Sequence, residues 1–358
     1  MRQPLAVIQA QAGAIFSDED ATLPLSFGND VLAYETAQTG VAIADRSHWG
    51  KIRVADSDRL RFLHNQTTND FQLLQPGQGC DTVFVTSTAR TLDLVSAYLE
   101  ADSVLLLVSP GMQQKLIDWM DRYIFFADKV KLEDVTDEMA AFSLLGPQSD
   151  RLITQLGAES LISQPIASHQ NLEIDGFQVM VAVGSGLVSP GYTLFVPTEF
   201  AAQLWQRLTE AGAVSLGEQV WQQLRIEQGR PMPATELTED FNPLEAGLWQ
   251  TISFDKGCYI GQETIARLNT YQGVKQQLWG IQLDRDVPLQ STVMCDQEKV
   301  GVLTSLVQTP TGIKGLAYIR TKAGGNGLSV TVAGAEGTIV DIPFSTRGYL
   351  SPEAAAST

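Results

Sequence analysis

The sequence predicts an α+β fold: two α+β sandwiches of ferredoxin-like type followed by a small antiparallel β-barrel. Three observations lead there. Strand-like and helix-like segments alternate over the first two thirds of the 358 residues. Short β-like runs crowd together after about Gly273, and glycines punctuate them. A chain of this length exceeds one ordinary core, so two or three domains are expected.

Taken in order, Lys51-Ile52-Arg53-Val54 reads as a strand. Asp56 or Ser57 then caps a helix through Leu60, Phe62 and Leu63, because a short oxygen side chain satisfies free N–H groups of the first turn. The Val- and Leu-rich runs 83–86, 92–99 and 104–108 are strand candidates. Ser109-Pro110 reads as a helix start, since proline at the first helical position loses no hydrogen bond. That helix carries Met112, Leu116, Trp119 and Met120 on one face. Strands follow at 139–145, 177–183 and 192–196. Thr198 caps a helix with Phe200, Leu204 and Leu208, and another helix covers 218–227. The barrel runs are 278–283, 300–306, 313–319, 328–332 and 338–342, with turns at Gly312, Gly324–Gly327 and Gly334. The end, Glu353 to Thr358, is expected to fray.

Composition narrows the function classes. Hydrophobic residues make up 44%, and the mean hydropathy is -0.01, as in a globular chain. Lys and Arg number 24 against 41 Asp and Glu, a net charge of -17 that repels a phosphate backbone, so no direct nucleic-acid partner is expected. Cys80, Cys258 and Cys295 are scattered, and so are His48, His64 and His169. That argues against a disulfide framework and against a metal site built from local ligands. No signal peptide and no apolar stretch of membrane-spanning length stands out, so the expected compartment is the cytoplasm and no membrane partner is expected.

The densest cluster of special residues is Lys256-Gly257-Cys258-Tyr259-Ile260-Gly261-Gln262-Glu263. Glycines on both sides of Cys258 permit positive φ or close backbone approach. A nearby cation, or a helix starting here, would favour the thiolate; the alternative is a structural cysteine beside a turn. His64-Asn65-Gln66-Thr67-Thr68-Asn69-Asp70 is an unbroken polar run after an apolar helix face. Its amides suit a heterocycle with donor and acceptor edges, such as a pterin, and equally suit a solvated helix end. Asp93 sits in the strand-like Thr91-Leu92-Asp93-Leu94-Val95, facing either solvent or a polar site. Arg225, near a helix end closed by Gly229 and Pro231, offers a forked donor to a ligand carboxylate or carbonyl, or a salt bridge on the surface. Asn242–Trp249 reads as a loop leading into the cysteine segment. A His48–Cys258 nucleophile pair is conceivable but has no supporting context.

In this order the pieces resemble the folate-binding glycine-cleavage T-protein (aminomethyltransferase) superfamily. Asp45–Val54 looks like its SHxGKIxV segment, Phe62–Asp70 like FLxxQxTND, Arg225–Gly229 like RxExG and Asn242–Leu248 like PxEAGL. Lys256–Glu263 with Arg267 resembles the signature of the YgfZ-type branch. The resemblance spans residues 40 to 345. It implies a T-protein-like arrangement of two ferredoxin-like domains and a barrel around a central hole. The division expected is 1–50 with 135–240, 51–134, a connecting segment 241–274, a barrel 275–345 and a flexible tail 346–358.

The same resemblance implies bound tetrahydrofolate or a one-carbon-substituted folate. It implies an accessory role in assembly, maturation or repair of iron–sulfur enzymes, with those proteins or their assembly machinery as partners and an indirect effect on tRNA modification. It nominates Cys258 as essential, Asp93 near the reactive folate nitrogens, and Arg225 as a folate contact. Asn65, Gln66, Thr67, Asn69 and Glu263 complete the binding set, and Lys256, Gly257, Tyr259, Gly261, Gln262 and Arg267 the motif. T-proteins carry a pterin-engaging glutamate in a turn where Val188–Thr193 has none; Ser189 offers a neutral hydroxyl there. They also normally lack the cysteine. The rival readings are a folate-dependent aminomethyltransferase or demethylase, and a non-enzymatic interaction module.

Overall fold

The structure is a computed structural model that describes residues 3–350. It divides into two compact units. One runs to Phe62 and takes in Phe71–Asp81 and Val95–Trp221; the other comprises Leu63–Asp70, Thr82–Leu94 and the chain from Gln222 onward. The strands Gly79–Val85 and Thr91–Leu99 each begin in one unit and end in the other.

The first unit holds a six-stranded sheet ordered His169–Ile174, Phe177–Val183, Gly191–Pro197, Met139–Leu145, Ala42–Asp45 and Val214–Leu216. All neighbours whose register is recorded are antiparallel except Val214–Leu216, which lies parallel to Ala42–Asp45. Helix Ala201–Glu210 buries Ala201, Leu204, Trp205 and Leu208, the helical spacing read from the sequence. Trp205 meets Phe142 edge-on at 5.3 Å within the core. The same unit stacks the Arg46 guanidinium between Trp49 and Trp221, 3.6 and 3.5 Å from the ring centroids.

A five-stranded sheet is ordered Gly79–Val85, Thr91–Leu99, Ser103–Val108, Gly50–Ala55, Lys131–Asp134. Its central strands are buried on both faces, which is why they read as largely hydrophobic runs. Three helix starts differ from expectation. Thr198 opens a 3-10 turn with Phe200 in it, its hydroxyl donating to Asp137 O at 2.8 Å, and the α-helix begins at Ala201. The helix after Gly50–Ala55 begins at Arg59, because Asp56 takes a left-handed φ of 78° and turns the chain first. Pro110 stands in a turn closed by Met112 N–H to Ser109 O at 3.0 Å; Gly111 has φ 74°, and the helix starts at Gln113.

In the second unit a closed barrel is formed by Gln276–Leu283, Gly312–Arg320, Glu298–Thr309, Thr292–Cys295, Ser329–Val332 and Ala335–Val340. All its recorded pairings are antiparallel. Closure removes free strand edges, and alternate residues such as Ile281, Val293, Leu303 and Ile319 fill the interior. Thr292–Cys295 is a strand the sequence reading missed. Residues 346–350, placed in the tail by the sequence, are tied down: Thr346 N–H donates to Gly247 O at 2.8 Å and Tyr349 meets Trp249 edge-on. The expected frayed end at Glu353–Thr358 lies outside the described residues.

Candidate functional site

The second unit gathers most of the residues singled out in the sequence. Helix Arg59–Gln66 ends inside the polar run, where its last carbonyls lack helical partners. Lys256 supplies them. Its buried ammonium donates to His64 O at 2.5 Å, Thr67 O at 2.8 Å and Asn69 O at 2.5 Å, and lies 4.8 Å from the Tyr259 ring centroid. A cation at a helix C-terminus is favoured by the dipole as well as by the bonds. Lys256 therefore serves the polar run, and its charge is held by backbone carbonyls.

The run itself is stitched to both neighbours. Thr68 Oγ1 donates to Thr251 O at 2.7 Å and accepts Val83 N–H at 3.0 Å, while Ser253 N–H donates to Thr68 O. Asn69 N–H reaches Thr82 Oγ1 at 3.0 Å, and Asn69 Oδ1 accepts the next amide, Asp70 N–H. Thr67 Oγ1 donates back to Leu63 O. The Asn65 side chain is exposed, and its carbonyl accepts Ile260 N–H from the cysteine segment at 3.0 Å. Gln66 differs: it is only 5% exposed, and among the described residues its Oε1 has no hydrogen-bond partner. A buried amide acceptor left unmade costs roughly 1–3 kcal/mol unless a ligand or water satisfies it.

The cysteine segment is held by its glycine and its tyrosine. Gly261 has φ 80°, and a Cβ there would lie 2.8 Å from Thr86 O and 3.1 Å from Ala89 Cα. Only glycine fits both the angle and the approach. Tyr259 packs with Ile265, Leu244 and Ile252 in a small core, and burial raises its phenol well above the usual value. Helix Gln262–Thr270 starts after Gly261, with Glu263 exposed in its first turn and Arg267 exposed in its last. Gln262 Nε2 donates to Lys256 O at 3.4 Å. Cys258 is exposed on the loop, and among the described residues its thiol makes no hydrogen bond.

His64 is the histidine that the fold brings to this segment. Its Nδ1 lies 3.1 Å from Asp70 Oδ1, and its Nε2 would be 3.5 Å from a Cβ on Gly257. Burial lowers the imidazole below its ordinary value, Lys256 adds to the shift, and Asp70 opposes it. His48, the partner once conceivable for Cys258, belongs to the first unit, where its Nε2 lies 3.7 Å from Glu218.

Asp93 is fully buried on Thr91–Leu99, next in sheet order to the strand carrying Thr82 and Val83; the solvent-facing alternative is gone. Arg225 is buried too. Its guanidinium donates to Glu236 Oε2 at 3.1 Å, Arg230 O at 3.2 Å, Ser305 Oγ at 3.2 Å and Gln222 Oε1 at 2.8 Å. Glu236, fully buried, also accepts from Thr235, Met232 and Ser305. Of the two fates open to Arg225 in the sequence, the structure shows an ion pair, placed in the interior. Gly229 ends the helix at φ 85°, with Ile342 within 2.5 Å of where a Cβ would be.

Asn242-Pro243-Leu244-Glu245 forms a capping box. Asn242 Oδ1 accepts Glu245 N–H at 3.0 Å, and Glu245 Oε2 accepts Asn242 N–H at 3.1 Å. Burial pushes the Glu245 carboxyl up, against the pull of Arg90 and Lys275. Ser189 belongs to the first unit, half-buried beside a cavity of about 310 Å³ lined also by Asp150 and Tyr192; its carbonyl accepts Ser185 Oγ at 2.7 Å. Sequence reasoning missed Glu236, Ser305 and Glu245 as polar anchors. The one available signal was Glu245 three residues after Asn242, the spacing of a capping box.

The sequence family described as the GCVT N-terminal domain matches residues 8–256. A protein of Arabidopsis thaliana named "Putative transferase", chloroplastic, is 45% identical over 327 residues, covering 90% of this chain and 76% of its own. Aminomethyltransferases of Caldanaerobacter subterraneus and Geobacillus kaustophilus are each 29% identical, covering 91% and 97% of this chain and 91% and 99% of theirs. The crystal structure of the glycine cleavage system aminomethyltransferase T from Bartonella henselae superposes with a TM-score of 0.83 at 18% identity, over 96% of this chain and 98% of that one. The fold is thus T-protein-like, and the chain belongs to the GCVT N-terminal domain family of the T-protein superfamily.

Proposed function

We propose that this chain binds a reduced folate, tetrahydrofolate or a one-carbon-substituted form, and acts as a YgfZ-type accessory factor for iron–sulfur enzymes. The observation that carries the folate reading is the buried Gln66 Oε1, unpartnered among the described residues, inside a polar run clamped by Lys256. An orphaned acceptor fits the N–H donors along a pterin edge. Gln66 and Asp93 would hold the pterin, with Asn65, Thr67, Asn69 and Glu263 as further candidates. Arg225 would act by holding Glu236 and the helix end in place. Bound folate would supply a nitrogen that carries a one-carbon unit.

Cys258 supports the accessory role over simple aminomethyl transfer. It is exposed, so a partner protein can reach it, and it lies in the motif that resembles the YgfZ signature. The domain division expected from the sequence, the iron–sulfur partners, the indirect effect on tRNA modification and a cytoplasmic site belong to this same reading. No helix among the described residues is long and apolar enough to cross a membrane. The second reading, a folate-dependent aminomethyltransferase or demethylase, draws on the aminomethyltransferase names of relatives that align over nearly the whole chain.

Calorimetry with tetrahydrofolate tests the binding claim. Wild type should bind, and Gln66→Leu should bind about tenfold more weakly, the loss of one buried hydrogen bond. No binding by wild type would end the folate reading. For the accessory role, Cys258→Ser in a strain deleted for the gene should leave iron–sulfur enzyme activities low, and full rescue would remove the cysteine from the mechanism. Methylene-tetrahydrofolate formed from an aminomethylated carrier protein would favour the second reading.

A further inference from the structure

A local departure from the acidic character of the chain lies at one rim of the barrel. Gln276, the first residue of its strand, pairs in register with Arg320, the last residue of the neighbouring one. Beyond them, Thr321 N–H donates to Lys275 O at 2.9 Å and Thr321 Oγ1 to Val274 O at 3.0 Å. These bonds fix two loops side by side, so Lys275, Arg320 and Lys322 border one cavity of about 820 Å³. Arg90 completes the lining with Asp240 and Glu245.

Lys275, Arg320 and Lys322 make no side-chain hydrogen bond or ion pair among the described residues, and all three are exposed. The chain has 41 acids to offer them, yet only Asp240 and Glu245 share the cavity. Arg90 sits between them, its Nη1 donating to the Asp240 backbone carbonyl at 2.8 Å and lying 3.9 Å from Glu245 Oε2, so four cations of the lining face two carboxylates. Like charges held around a concave surface repel one another, and an anion placed among them removes that repulsion. The volume suits a small molecule, and no aromatic ring lines the cavity to stack a base.

We propose that this cleft binds a small, multiply charged anion, an oligophosphate or a polycarboxylate, bridged between Arg320 and Arg90 and flanked by Lys275 and Lys322. Arginine supplies paired donors to phosphate or carboxylate oxygens, and the lysines supply mobile charge. The site stands apart from the polar run and does not depend on folate binding.

Titration calorimetry at low salt with inorganic tripolyphosphate, and separately with citrate, distinguishes the two sources. One anion or both should bind one to one, with affinity falling as salt rises. The double variant Lys275→Gln with Arg320→Gln should weaken binding at least tenfold, while its thermal melt matches wild type because both side chains are exposed. Preference for one anion names the source. Absence of binding by both at millimolar concentration overturns the proposal. So does unchanged affinity in the double variant, since the anion would then sit elsewhere.

Discussion

Lys256 and Lys275 stand on one stretch of chain and have opposite surroundings. Lys256 is buried, and three backbone carbonyls accept its ammonium. Lys275 is exposed at a cleft beside Arg320 and Lys322, whose side chains, like its own, make no hydrogen bond or ion pair among the described residues. Arg225 belongs with Lys256: it is buried and bound to Glu236, Ser305, Arg230 O and Gln222. The difference separates two uses of positive charge. Where every N–H is answered inside the protein, the cation is part of the scaffold, and its loss is read in stability. Where none is answered, its loss is read in binding.

The sharpest way to test this division is Arg225→Ala. Glu236 is fully buried, and removing its counter-charge leaves a carboxylate whose remaining donors are two hydroxyls and one amide. Breaking a buried pair from one side costs about 3–5 kcal/mol. Chemical denaturation should show a loss of that size. The companion Arg225→Met with Glu236→Gln should recover much of it, because no uncompensated charge remains. A loss below about 1 kcal/mol for Arg225→Ala would mean the pair is not scaffold at all.

Lys256→Met should come next. It strips three carbonyls of their donor but leaves neutral groups behind, so the expected cost is smaller, about 2–4 kcal/mol. The effect should be local as well as global. Amides of Val83 and Asn69, which depend on the geometry of the run, should exchange faster in the variant. Unchanged exchange there would show that the Thr68 hydroxyl bonds hold the run without the lysine.

Part of this was legible in the sequence and part was not. The sheets were, because Val104–Val108 and Met139–Leu145 are buried on both faces and so read as unbroken apolar runs. Thr292–Cys295 was not; it is four residues long and half-buried, so it offers no alternation to recognise. The cysteine segment was legible through its glycines, and Gly261 does need both its φ and its lack of a side chain. The role of Lys256 was hidden, because proximity in sequence pointed to Cys258 while the ammonium reaches a carbonyl 192 residues away. Glu236 was hidden for the same reason: its partners Arg225 and Ser305 converge only in three dimensions.

The smallest predicted effect lies between the two classes of cation. Glu245 is buried at the wall of the cleft, with Arg90 at 3.9 Å and Lys275 nearby, and burial outweighs their attraction to raise its carboxyl above the ordinary carboxylate range. The folded chain therefore holds the proton to higher pH than the unfolded chain does. Stability must then fall as pH rises from the ordinary carboxylate range through the raised value, and level off beyond it. Glu245→Gln removes that decline while its amide oxygen can still accept Asn242 N–H. The variant should match or fall slightly below wild type under acidic conditions, gain on it as pH climbs, and end ahead of it at neutral pH. Thermal melts of both proteins across that range check the sign. A variant that loses ground with rising pH would show that Arg90 and Lys275 stabilise the charge more than burial opposes it, and the wall of the cleft would then count among the committed charges.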